Sequence, residues 1–154
     1  MQILQAHASE HLAIIRELFT EYARSIDIDL CFQGFDRELA ELPGRYAPPE
    51  GRLLLVLENQ IPAGCVAVRK LDDGACEMKR LYVRPALRGC GVGRQLAAES
   101  IAAAREIGYA RMRLDTLCSM TPAIALYESL GFQRIAPYYD NPSGAAVFME
   151  LKLR

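Results

Sequence analysis

Residues 76–115 read CEMKRLYVRPALRGCGVGRQLAAESIAAAREIGYARMRLD, and the fold turns on this stretch. A strand pattern ends at Val83, a glycine-rich turn follows, and then come a helix pattern and a second strand pattern. The turn runs Arg88-Gly89-Cys90-Gly91-Val92-Gly93-Arg94. Alternate glycines let backbone N–H groups approach a ligand with no side chain in the way. The following helix points its N-terminus at the same place, so its dipole and free N–H groups make an anion site. Arg88 and Arg94 add full charges. The turn therefore predicts a pyrophosphate cradle, set against the plainer reading of a tight turn without a ligand.

Other phosphate loops fit less well. A dinucleotide loop, Gly-x-Gly-x-x-Gly, would need glycine where Arg94 stands, although Asp115 lies roughly where a ribose-binding acid would. A Walker loop would need Gly-Lys-Ser/Thr, which is missing from the turn.

Upstream, 52–58 (RLLLVLE) is a nearly continuous apolar run, the pattern of a strand buried on both faces. Residues 59–62 read as a turn, 63–71 as a strand, Asp72-Asp73-Gly74 as a hairpin turn and 76–83 as a third strand. Together they predict an antiparallel meander. Before it, 2–6 is a short candidate strand, and Ser9 is a candidate N-cap for a helix to about residue 25. Leu12, Ile15, Leu18, Phe19 and Tyr22 form that helix's apolar stripe. Residues 26–49 are less regular, with Asp36 a candidate cap for a short helix through Leu42. The acids Asp27, Asp29, Asp36, Glu38 and Glu41 gather there, as a solvated face or as a rim attracting a cationic substrate.

Downstream, Val92, Leu96, Ala103 and Ile107, joined by Ala97, Ile101 and Ala104, give the helix after the turn its stripe, and Gly108 ends it. Strand 111–116 should place Met112 and Leu114 on one face and Arg113 and Asp115 on the other. Thr121-Pro122 reads as an N-cap with proline at the first helical position, opening a short helix through Leu130. Strands at 132–136 and 145–153 close the chain, with a turn at 141–144 between them.

Composition narrows the function classes. A chain of 154 residues, 51% hydrophobic and 24% charged, predicts one globular domain over residues 1–154. A net charge of −1 gives no reason to expect nucleic-acid or membrane-surface binding. The five cysteines, Cys31, Cys65, Cys76, Cys90 and Cys118, have no CxxC pair, so reduced thiols in a cytoplasmic protein are expected. MQILQAHASE has no basic-then-apolar leader pattern. His7 and His11 are four apart but lack a HExxH glutamate and an evident third ligand, so no metal is expected.

With its elements placed, the chain resembles the GNAT superfamily of acyl-CoA-dependent N-acetyltransferases. Arg88-Gly89-Cys90-Gly91-Val92-Gly93 matches the family's Gln/Arg-x-x-Gly-x-Gly/Ala signature, after a strand ending Leu81-Tyr82-Val83-Arg84-Pro85. Ala123-Ile124-Ala125-Leu126-Tyr127-Glu128-Ser129-Leu130-Gly131-Phe132 matches the later A-x-x-L-Y-x-x-x-G-F motif. One position departs: Met120 stands where many members carry an asparagine that contacts the cofactor arm.

The resemblance implies an α/β (α+β) GNAT fold: a mixed, mostly antiparallel sheet of six or seven strands with helices on both faces. It implies acetyl transfer from acetyl-CoA to a primary amine of a small molecule or peptide, directly and without an acyl-enzyme. The 88–94 turn and the Leu81, Tyr82 and Val83 backbone, with Ala123 and Tyr127, would hold the cofactor. Cys90 would act through its backbone N–H. Tyr127 would protonate the departing thiolate, against the alternative of a packed helix aromatic, and a phenol suits because its pKa is near a thiol's. Glu77, expected on one strand face with Lys79, Leu81 and Val83, would be the base, against a plain ion pair with Lys79 or an arginine. Phe32, Phe35, Tyr138 and Tyr139 are candidate acceptor-pocket residues, each with a core or surface reading beside it. A homodimer would be in keeping with the family. The competing class is a non-catalytic acyl-CoA-binding or regulatory module on the same fold.

Overall fold

The structure, a computed structural model, describes residues 1–26, 30, 34–142 and 144–154. Its elements in order are β1 (Gln2–Gln5), α1 (Ser9–Ser25), α2 (Phe35–Glu41), β2 (Arg52–Glu58), β3 (Ile61–Asp72), β4 (Ala75–Val83), α3 (Val92–Ile107), β5 (Arg111–Leu117), α4 (Thr121–Ser129), β6 (Gln133–Ile135) and β7 (Ala146–Lys152). The seven strands form one sheet in the order β1-β2-β3-β4-β5-β7-β6. Only β4 and β5 run parallel, because the α3 crossover joins them; the other pairs are antiparallel.

The uninterrupted apolar run of β2 has the expected cause. Leu53 and Leu55 join the core under α1 and α2, and Leu54 and Val56 join the core under α3. Each fully buried leucine contributes about 1.5–3 kcal/mol relative to exposure. On the first face Ile15, Leu18 and Phe19 of α1 pack with Phe35 of α2. On the second, Val92, Leu96, Ala97, Ile101 and Ala104 of α3 pack down with Tyr127 of α4. Ser100 lies in the same buried helix face and returns its hydroxyl to the Ala97 carbonyl at 2.7 Å.

The structure corrects several local readings. Ser9, Asp36 and Thr121 are not caps: Ala8, Gly34 and Met120 hold those places, and none makes a side-chain cap bond. The β2–β3 turn is two residues, Asn59 and Gln60, both at positive φ (50° and 64°), so Ile61 and Pro62 already belong to β3. The expected face of β4 also changes. Arg80 sits at φ 61° in a bulge where the β3–β4 register slips. The slip breaks the alternation, so Leu81 and Val83 turn to the α3 side. Glu77 stays on the opposite face with its register partner Arg69. The turn expected at 141–144 includes Ser143, which lies outside the described residues.

Candidate active site

Strands β4 and β5 pair over Ala75↔Arg111, Cys76↔Met112 and Glu77↔Arg113, and no further. Beyond Glu77 the bulge carries β4 away, while β5 stays paired with β7 as far as Leu117↔Ala146. The strands part, and two neighbouring spaces occupy the gap. One is a void of about 30 Å³ lined by Lys79, Arg80, Asp115 and Tyr127 among others. The other is a cleft of about 380 Å³ lined by Leu81, Tyr82, Val83, Arg88, Leu117 and Ala123 among others. Tyr22, Leu81 and Met120 line both. Five residues chosen from sequence for the cofactor thus meet along one cleft.

The glycine turn stands at the mouth of this cleft. Gly89 and Gly91 have φ of 81° and 84°, and a Cβ added to either would meet no atom within 4 Å. Their absence of side chains therefore leaves open space, as a cradle requires, and does not serve packing. Gly93 differs: its Cβ would touch Val83 at 3.7 Å, so it serves the close approach of α3 to β4. Among the described residues, Gly89, Cys90 and Gly91 donate to no backbone carbonyl. The first N–H groups of α3 lack intrahelical partners by helix geometry. Val92 is buried in the core, and Cys90 is exposed. Arg88 donates to the Val83 carbonyl at 3.0 Å and lies over the Tyr82 ring, and Arg94 donates to Ser129 of α4 at 2.7 Å. Both arginines are tethered at the turn with N–H donors left over. Open glycines, undirected N–H groups and two cations fit a pyrophosphate.

Tyr127 is buried against Phe132 and reaches the void. Burial, with Tyr22 and Asp115 nearby, pushes its phenol well above the usual tyrosine range, so it is protonated at neutral pH. Glu77, 1% exposed, accepts from Arg69 at 2.9 Å and from the Tyr138 hydroxyl at 2.6 Å, with Lys79 at 3.9 Å. Burial alone would raise its pKa; Lys79, Arg69 and the Tyr138 bond outweigh it and hold the carboxyl below its usual range. The ion-pair reading of Glu77 describes these contacts. Tyr139 donates to Asp115 at 2.8 Å. Phe35 is buried beneath the Arg80 guanidinium, 5.2 Å from ring centre to Cζ. Phe32 lies outside the described residues.

Sequence reading missed Lys79 and Arg80 as lining residues, and Arg69 as the partner of Glu77. Lys79 is 6% exposed, and burial lowers its pKa despite Glu77 and Asp115. A signal was present: Glu77-Met78-Lys79-Arg80 puts three charges inside a central strand, where each must find a partner. Met120 lines both void and cleft, and its sulfur receives the Thr116 hydroxyl at 3.6 Å.

A parallel pair opened by a bulge, with an open glycine turn at the start of the crossover helix, defines the class of fold. Residues 12–132 match the sequence profile of the acetyltransferase (GNAT) family, and the chain belongs to that family. It is an acyltransferase of the N-acetyltransferase type. It is 44% identical over 138 residues to the uncharacterized N-acetyltransferase C1271.07c of Schizosaccharomyces pombe, covering 88% of this chain and 85% of the relative. An acetyltransferase from Streptococcus agalactiae superposes with a TM-score of 0.80 at 24% identity, over 98% of this chain and 97% of that one. The acetyltransferase yncA of Salmonella typhimurium, solved with its cofactor acetyl-CoA, superposes with a TM-score of 0.72 at 24% identity, over 99% and 94%. Both structural likenesses bear on the fold.

Proposed function

We infer that residues 1–154 act as one N-acetyltransferase domain that moves an acetyl group directly from acetyl-CoA to a primary amine. The observation that carries this reading is the adjacency of the cleft beside the glycine cradle to the void at Tyr127, which share Tyr22, Leu81 and Met120 as lining residues. Bound acetyl-CoA supplies a thioester, whose carbonyl carbon bonds to the acceptor nitrogen as its C–S bond breaks. The N–H groups of the 88–94 turn, with Arg88 and Arg94, bind the pyrophosphate. The unpaired edge of β4 at 81–83 aligns the cofactor's amides by strand-like pairing. Tyr127 gives its Oη proton to the departing sulfur and recovers one from solvent. Glu77, ionised at neutral pH, takes the proton shed by the acceptor nitrogen, directly or through water.

Exposed Cys90 and Cys118 are free thiols, which supports a reducing compartment such as the cytoplasm. No helix among the described residues is long and apolar enough to cross a membrane.

The test is thiol release from acetyl-CoA over a mixed library of amines, with Gly91→Trp as the blocked-cradle control. A tryptophan there would carry a large side chain into the open cradle at φ 84°. Turnover with one amine class, lost together with CoA binding in the control, is the expected result. CoA binding that survives in the control refutes the cradle, and binding without turnover on any amine favours a non-catalytic acyl-CoA module.

A further inference from the structure

The kink that carries β4 away from β5 is a backbone outlier that its surroundings must hold. Opposite Val66 of β3, β4 places both Arg80 and Leu81, because the register steps from Ala67↔Lys79 to Cys65↔Tyr82. Arg80 takes φ 61° there. A residue with a long side chain stays in that region where neighbours over-determine it. Regular alternation from Glu77 onward would return Leu81 and Val83 to the Glu77 face, away from the α3 side they now join.

What holds the kink comes from another element. Arg80 is 4% exposed, and its guanidinium donates to both carboxylate oxygens of Glu38 on α2, each at 2.9 Å. This acid of the stretch 26–41 is therefore spent inside the protein and not on an electronegative rim. The same guanidinium lies over the Phe35 ring of α2 at 5.2 Å and the Tyr22 ring of α1 at 5.9 Å. On the backbone side, the Cys65 thiol donates to the Arg80 carbonyl at 3.4 Å. Helix α2 is itself fixed: Phe35 is buried, and the Leu39 carbonyl accepts from Arg16 of α1 at 2.9 Å. Glu38 lines neither the void nor the cleft, whereas Arg80 lines the void and Leu81, Tyr82 and Val83 line the cleft. Glu38 thus reaches the gap through Arg80.

We propose that Glu38 is a positioning residue for the cofactor's arm: by clamping Arg80 in its left-handed conformation, it keeps the β4 edge at 81–83 turned into the cleft. The inference rests on the acetyl-transfer reading above and adds to it the residue that sets the strand edge. A carboxylate suits the task because two parallel N–H bonds fix the plane of the guanidinium as well as its place.

The test is calorimetric binding of two probes, CoA and its nucleotide portion 3′-phospho-ADP, which carries no arm. Glu38→Gln keeps the size of the side chain and removes its charge. It should weaken CoA at least about 10-fold and leave 3′-phospho-ADP within about 2-fold of the native chain. Two double variants then separate backbone from side chain. Glu38→Gln with Arg80→Gly and Glu38→Gln with Arg80→Ala both remove the guanidinium and leave neither charge of the pair buried alone. They serve even where Glu38→Gln by itself does not fold. Glycine takes φ 61° without steric cost and alanine does not. The glycine double should therefore bind CoA about 10-fold more tightly than the alanine double, with 3′-phospho-ADP equal in both. Equal CoA affinity in the two doubles, native CoA affinity in Glu38→Gln, or a parallel loss of both probes in the folded alanine double overturns the proposal and leaves acetyl transfer intact. A native chain that binds neither probe overturns both.

Discussion

Tyr127 and Glu77 were singled out together, and their surroundings now separate them. Tyr127 reaches the void with a phenol that stays protonated, the state an acid needs. Tyr127→Phe removes one oxygen at a buried position. It should lower kcat about 100-fold, with CoA affinity unchanged by calorimetry. An unchanged kcat would assign the leaving-group proton to another donor. Glu77 is instead a hub: removing its charge leaves Arg69 and Lys79 repelling each other across a buried surface. Glu77→Gln should therefore destabilise the protein by about 3–5 kcal/mol in urea unfolding. The pH dependence follows from the depressed carboxyl. Its stabilisation is fully present above the unfolded-state value near 4.5 and is lost as pH falls through the lower folded value. The native chain should weaken below about pH 4.5, and Glu77→Gln should show a shallower acid slope. An equal slope in both would show that Glu77 is not held below its ordinary range.

At the scale of elements, much was legible because periodicity and composition are local. The β2 run, the α3 stripe and the Met112/Leu114 alternation of β5 appear at the expected places. So does the open glycine turn, since a turn at positive φ before a helix needs residues that only glycine supplies cheaply. The bulge was not legible. Arg80 takes a positive φ that no local preference asks for, and it does so inside a packed ion pair with Glu38, forty-two positions away in the chain. Nothing in the alternation of β4 announces where it fails, so Leu81 and Val83 were put on the wrong face. The paired cost is visible at Gly64. A Cβ there would sit 2.4 Å from the Tyr82 carbonyl oxygen and 3.3 Å from Leu96, so β3 and β4 approach closely just behind the cleft. Gly64→Ala should cost about 1–3 kcal/mol in urea and weaken CoA binding, because the relief available is movement of β4 at 82–83. A variant as stable as the native chain would show that the strands separate without strain.

For the whole molecule, the consequence of the gap is a sheet held shut at one end and open at the other. The β4–β5 pairing stops at Glu77, whereas β3–β4 and β5–β7 pairing continues on either side, so each half of the sheet is braced by its own neighbours. Helix α1 ties the β4 half further, with Glu21 accepting from Arg84 at 2.7 Å and from the Tyr82 hydroxyl at 3.1 Å. Opposite them, α4 is tied to the cradle by Arg94 and Ser129. A ligand that enters the gap therefore bridges two braced halves and should stabilise the fold as a unit. CoA at 100 times its Kd should add about 2.7 kcal/mol to the unfolding free energy of the native chain. Hydrogen exchange locates the bridge. Amides at 81–83, 88–94 and 120–123 should slow on CoA addition, because these segments line the cleft or form its cradle. Amides of β1 and of the Gly44–Tyr46 turn, which lie away from the cleft, should slow only as far as global opening is suppressed. In Gly91→Trp the local slowing should vanish. Slowing at the Gly44–Tyr46 turn with none at 88–94 would place the nucleotide on the far side of the sheet and remove the cradle from the site.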